Sequence, residues 1–280
     1  MSSQQDCLRN TMSKAGRENF PVASRLLPRR YRRDLLAIYG FARSVDDIGD
    51  DTPPRERLAL LEAVDTDLVR LYAGRSPRSW AVEGLTRTIR EHAIPAEPFH
   101  LLVEANRRDQ TVTRYETFDD LLGYCALSAN PVGRLVLHVF GAVTESRLAS
   151  SDRVCSALQI IEHCQDVGED LGRGRIYLPG EDLRRFGCPE DHLAAPVTSP
   201  QLRDVLAFQV SRAERMLAEG SGLIASLAGF ARLAVAGYVA GGHATVTALK
   251  HARHDVLGQA VRPRRARLLT AWARILMTKE

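Results

Sequence analysis

The sequence predicts an all-α chain, and three observations carry that prediction. Apolar residues recur at helical spacing in one segment after another, as in Leu58, Leu61, Val64, Leu68 and Leu71. No stretch alternates apolar and polar residues between turn signals, as a half-buried strand would. Two distant segments carry acids in a row along one side of an otherwise apolar helix.

Taken in order, residues 1–18 are polar and are read as a flexible N-terminal segment, with one helical domain over 19–280. Residues 19–24 form a turn-like lead-in. A long helix is expected over 29–49, ended by D-T-P-P-R, because proline removes a donor and clashes with the preceding turn. Helices follow over 55–72, 81–92 and 97–109, with A-G-R-S-P-R as a loop. Residues 118–140 read as a long helix interrupted at S-A-N-P-V-G, and 151–171 as the helix of the second acidic row. L-G-R-G-R-I-Y-L-P leaves it as a flexible strap. After a loop at 187–200, helices are expected over 201–219 and 223–254, and the tail is basic and amphipathic.

Composition narrows the function. The 280 residues are 45% hydrophobic and 26% charged, enough to bury one large core. No apolar run is long enough to span a bilayer, and the N-terminus lacks the apolar stretch of a secretory signal, so a cytoplasmic location is expected. Cys7, Cys125, Cys155, Cys164 and Cys188 make no zinc-spaced cluster and are read as reduced structural thiols. The net charge of +4 is carried almost wholly by arginine. Arginine suits bidentate phosphate contacts better than lysine. The basic residues are dispersed, which argues against nucleic acid. No G-x-G-x-x-G follows a strand.

The chemistry lies in the two rows. At about 100° per residue, Gln159, Glu162, Asp166 and Asp170 fall within roughly 80° of one another. By the same count Tyr39, Arg43, Asp46 and Asp50 share roughly 60°. Stacked carboxylates repel, and burying them requires a cation. Two such walls facing one pocket fit Mg²⁺, which takes one or two protein carboxylates and completes its shell with water and phosphate oxygens. Arg43 beside them points to a bound anion. A diphosphate clamped in this way becomes a good leaving group, and a carbocation left behind needs an apolar, water-poor cavity. The Asn130–Pro131 break, with Ala129 and Gly133, would open space in one wall.

Blander explanations were weighed. Either row alone is as well explained by a solvated acidic face. A di-iron bundle needs Glu-x-x-His, and here Glu162 and His163 are adjacent. G-Y-V-A-G-G-H-A reads as close helix packing, and Tyr238 within it is as easily core as site.

In L-L-P-R-R-Y-R-R-D-L-L-A-I-Y-G-F-A-R-S-V-D-D-I-G-D, G-Y-C-A-L-S-A-N-P-V-G and Q-I-I-E-H-C-Q-D-V-G-E-D-L-G-R-G-R-I-Y-L-P, the chain resembles the squalene/phytoene synthase family. Through E-N-F-P-V-A-S and H-C-Q-D it is most similar to the bacterial hydroxysqualene synthase branch of squalene and hopanoid biosynthesis. The resemblance implies the class I isoprenoid synthase fold, a helical domain with a central cavity, and Mg²⁺-dependent ionisation of a prenyl diphosphate. It implies metal ligands at Asp46, Asp50, Asp166 and Asp170, with Glu162 standing where relatives often have Asn. Substrate or diphosphate contacts map onto Tyr39, Arg43, Tyr124, Gln159 and Tyr238, and onto Asn19 near the start. Gln165 replaces an Arg that helps hold diphosphate in relatives. That change would favour a single substrate, presqualene diphosphate, captured by water. Head-to-head condensation of two prenyl diphosphates is the enzymatic alternative, and a non-catalytic assembly factor the remote one.

The C-terminal segment sets Arg262, Arg264, Arg265 and Arg267 before Leu268, Leu269, Trp272, Ile275 and Leu276. A basic amphipathic helix of this kind can lie on an anionic membrane, or pack on the domain with a solvated end.

Overall fold

The computed structural model describes residues 26–277; Asn19 and Cys7 lie outside them. Most of the longer helices start at a proline or a capping side chain. Helix α1 (Arg29–Asp51) follows Pro28 and ends where Thr52 turns extended ahead of two prolines. Helix α2 (Pro54–Tyr72) opens on proline, whose missing N–H costs nothing in a first turn. The helix expected over 81–92 is two short ones, α3 (Trp80–Glu83) and α4 (Thr86–His92). The ladder is interrupted at Gly84 and Leu85, and Ala93 in the left-handed region ends α4.

Helix α5 (Glu97–Arg108) leads to α6 (Phe118–Ser128), which starts on a reciprocal Thr117–Asp120 capping box. Helix α7 (Asn130–Val139) begins at the expected break, with Pro131 in its first turn. Helix α8 (Glu145–Gln165), capped by Thr144, begins six residues before the expected 151, and α9 (Val167–Gly172) follows a break at Asp166. Then come α10 (Gly180–Arg185), a 3₁₀ turn at Glu190–Ala194, and α11 (Pro200–Glu219) capped by Ser199. The helix expected over 223–254 divides at Leu227 and Ala228 into α12 (Gly222–Ser226) and α13 (Gly229–His251). Helix α14 (Arg265–Met277) closes the described chain.

Helix α8 sits at the centre, packed against α7, α11 and α13, with Val154, Ala157, Ile160 and Ile161 buried. Small residues allow the close approaches. A Cβ on Gly133 would lie 2.4 Å from Ser151 Oγ, and one on Gly242 would lie 2.6 Å from Leu158 Cδ2. The G-G-H stretch is therefore packing against α8 and α11.

No strand forms among the described residues; a single parallel bridge joins Arg114 to Ile176. That bridge corrects the expectation of a flexible strap. Arg175, Ile176, Tyr177 and Leu178 are all buried. The strap is tied down by Ile176 N–H donating to Thr113 O at 2.9 Å and Gly180 N–H to Tyr115 O at 2.9 Å. No described helix is long and apolar enough to cross a membrane. Cys125, Cys155, Cys164 and Cys188 are free thiols. Burial pushes the first three up to about 12.

Candidate active site

The first acidic row needs only α1. Because the helix is unbroken, Tyr39, Arg43, Asp46 and Asp50 keep their spacing and face inward. Asp46 accepts a hydrogen bond from Asn106 Nδ2 at 3.0 Å. Asp50 is met by Arg175 Nη2 at 2.6 Å and Arg173 Nη1 at 3.5 Å. Arg43 pairs with Asp47 at 2.7 Å, while its buried Nε has no hydrogen-bond partner.

The second row is assembled differently. Asp166 leaves helical geometry at φ −103° and ψ 19°. Gln159 and Glu162 thus project from α8, and Asp170 from α9. His163 links them, with Nε2 3.2 Å from Gln159 Nε2 and Nδ1 3.3 Å from Asp170 Oδ2. Its ring stacks on Tyr177 of the strap at 3.8 Å between centroids.

A third acid, Asp109 just past α5, completes the floor. Its side chain is only 7% exposed. It accepts from Tyr124 OH at 2.8 Å and Tyr177 OH at 2.9 Å, and lies 3.4 Å from Arg175 Nη1.

Together these residues line a polar cavity of about 220 Å³ in which six carboxylates (Asp46, Asp50, Asp109, Glu162, Asp166, Asp170) face three guanidiniums (Arg43, Arg173, Arg175). Burial, with Asp50 and Asp109 nearby, outweighs Asn106 and Arg43 and raises Asp46 to about 6. Burial with Asp170 and Glu169 raises Asp166 to about 6. Desolvation likewise raises Asp109 and Tyr124.

Arg43, Asp46, Leu102, Ser128, Gln159 and Glu162 also line a second, adjoining cavity of about 310 Å³. That one is apolar, walled by Leu35, Ile38, Val132, Val136, Leu137, Val235 and others. Tyr39 and Tyr238 line it, so Tyr238 belongs to a cavity wall. The kinked α6–α7 junction supplies Ser128, Ala129 and Gly133.

A model of the squalene/phytoene synthase family matches residues 13–271. The chain belongs to that family. Hydroxysqualene synthase of Zymomonas mobilis is 37% identical over 217 residues, covering 75% of this chain and 71% of the relative. Presqualene diphosphate synthase of Rhodopseudomonas palustris is 32% identical over 197 residues, 70% of each chain. The crystal structure of squalene synthase HpnC from Alicyclobacillus acidocaldarius superposes with a TM-score of 0.79 at 36% identity, covering 91% of this chain and 97% of that one. The fold is therefore the all-helical isoprenoid synthase fold.

Within this squalene/phytoene synthase frame, most residues singled out from the sequence meet at the two cavities. Gln165 does not: it lines neither, and its Nε2 donates to Val261 O. Its amide is tied to the segment before α14. Sequence reasoning overlooked Asn106, Asp109, His163, Arg173, Arg175 and Tyr177. Leu102, Asn106 and Asp109 repeat at i, i+4 and i+7, a polar continuation of an apolar stripe and the signal already used for the acidic rows. Arg175 and Tyr177 are two apart in an extended segment and so share a side.

Proposed function

We propose that the chain is a Mg²⁺-dependent carbon–oxygen lyase that converts presqualene diphosphate and water to hydroxysqualene and diphosphate, a step of squalene and hopanoid biosynthesis. The observation that carries this reading is the shared boundary between an acid-lined and an apolar cavity. A diphosphate head and a long hydrocarbon tail on one molecule match that pair of chambers.

The donor set fits the ion. Hard carboxylate oxygens outnumber guanidiniums in the polar cavity, which suits a hard divalent cation. Asp46, Asp50, Glu162, Asp166 and Asp170 would hold Mg²⁺, which when bound would offset charge on the departing diphosphate. Arg43, with its unpartnered Nε, is placed to hold a phosphate oxygen.

The carbon–oxygen bond breaks with its electron pair leaving on diphosphate. The cation rearranges beside apolar walls that keep bulk water out. Water then adds through oxygen and gives up a proton. Tyr124, held by Asp109 in the polar cavity, and Gln159, set by His163 at the boundary, are neutral polar groups that orient the reacting end.

The rival reading, condensation of two prenyl diphosphates, is favoured by the resemblance to a presqualene diphosphate synthase. Product analysis separates them. With Mg²⁺, presqualene diphosphate is expected to yield hydroxysqualene and farnesyl diphosphate to yield nothing. A thirty-carbon product from farnesyl diphosphate would move the chain to the condensing class.

A further inference from the structure

An aromatic cluster stands beyond one end of the apolar cavity. Along α1 its lining runs from Asp46 back to Leu35, along α7 forward to Leu137, and along α13 back to Val235. About one helical turn further on each helix stand Tyr31, Phe140 and Phe230. They pack together, with centroids 4.8 Å apart for Tyr31–Phe140 and 5.9 Å for Tyr31–Phe230. Phe230 is nevertheless 41% exposed, so the cluster reaches the surface.

The surface around it is both apolar and basic. Leu26 is 63% and Met277 75% exposed. Met277 is brought here because Trp272 Nε1 donates to Leu233 O at 3.0 Å and Arg232 Nη2 to Leu276 O at 3.4 Å, pinning the end of α14 to the start of α13. Arg29 and Arg30 are exposed in the first turn of α1, and Arg30 lies over the Tyr31 ring. Between Glu219 and Glu280 the only acid in the sequence is Asp255, and it pairs with Arg203. Of the acids near the start of α1, Asp34 is matched by Arg33 and Glu91 by Arg33 and Arg87.

We infer that this end of the bundle, formed by the first turns of α1 and α13 and the last turn of α14, seats on an anionic lipid bilayer with Phe230 at the contact. Exposed apolar and aromatic side chains ringed by arginine suit the boundary between headgroups and acyl chains. The location differs from the one the sequence indicates. Arg262 lies by Asp166, whose charge it offsets, and Val261 is bonded to Gln165, so the start of the basic tail belongs to the acid end. The lipid seat lies at the other end of α1, about 30 Å away by helical rise. The aromatic cluster stands there about one turn beyond the lining of the apolar cavity along α1.

Flotation of the full chain with vesicles tests this without any turnover, so it stands apart from the reaction proposed above. The chain is expected to float with equimolar phosphatidylglycerol and phosphatidylcholine, less so in high salt, and not with phosphatidylcholine alone. Arg30→Glu with Phe230→Ala is expected to weaken partition about tenfold or more. Arg75→Glu, an equal charge change on the loop after α2, is expected to leave it intact. Melting temperatures report that each variant is folded. Absence of flotation, or equal flotation by the double variant, overturns the inference. So does loss of a dimer in the double variant with unchanged flotation, which would make the patch a contact between copies.

Discussion

The two acidic rows reach one cavity by different means. The first lies on α1, an unbroken helix of 23 residues, and its side chains converge because helical spacing makes them converge. The second is split at Asp166 between α8 and α9, and its side chains converge because other elements hold them. His163 ties Gln159 to Asp170, the strap lays Tyr177 on that histidine, and the segment before α14 bonds to Gln165. One row is a local consequence of the chain, the other a consequence of packing.

If both rows serve the same diphosphate, Asp46→Asn and Asp166→Asn should each lower kcat for hydroxysqualene formation by on the order of a thousandfold. The melting temperature should not fall, because each change removes a partly buried carboxylate whose charged form is disfavoured in the fold. Full activity in the Asp166 variant alone would show that the rows are not equivalent.

Arg175 is where the rows are joined: its side chain touches Asp50 of the first row and Asp109 beneath Tyr124 and Tyr177, and its N–H donates to Asp170 O of the second at 2.9 Å. Arg175→Leu strands two carboxylates and should cost about 3 kcal/mol of stability, read by denaturant unfolding, with a clear loss of kcat. An unchanged unfolding midpoint would mean that the strap is held by its backbone bonds alone.

A smaller effect is expected at Gly49, where a Cβ would lie 2.4 Å from Asn106 Oδ1. Gly49→Ala should move Asn106 off Asp46, with a stability loss of about 1–2 kcal/mol and roughly tenfold lower kcat. The second row should be untouched, so Mg²⁺ should still raise the melting temperature.

The smallest effect is in the pH dependence of the free protein. Asp46 and Asp166 take up protons near pH 6 when folded, against an ordinary value of 3.8. The folded chain therefore binds more protons between about pH 4 and 6, and stability falls as pH rises through that window. The melting temperature should drop by a few degrees from pH 5 to 7.5. Added Mg²⁺ should restore it at 7.5 and do little at 5. A flat profile would show that the arginines already balance the acids.

Much of the fold was legible because amphipathic spacing and proline breaks are local. The α1 row, the Asn130–Pro131 kink and the helix starts at prolines all follow from near neighbours in sequence. The misreadings were also local. Helical counting carried the second row through Asp166 as though no break stood there. Two glycines made the strap look flexible, although Ile176 and Tyr177 are buried and held by Asp109, Thr113 and Tyr115 between α5 and α6 and by Tyr124 on α6, all far off in sequence.

The sequence by itself determined that this is a helical chain with paired acids and an apolar body, since helix periodicity and side-chain chemistry need no partner to be read. Tertiary structure alone decided that Asp109, Arg175 and Tyr177 are part of the site. It also decided that Gln165 turns away, and that the basic tail divides between opposite ends of the bundle. A hydrogen bond or ion pair between residues 60 to 125 apart depends on how helices pack. Spacing along one chain does not contain that information.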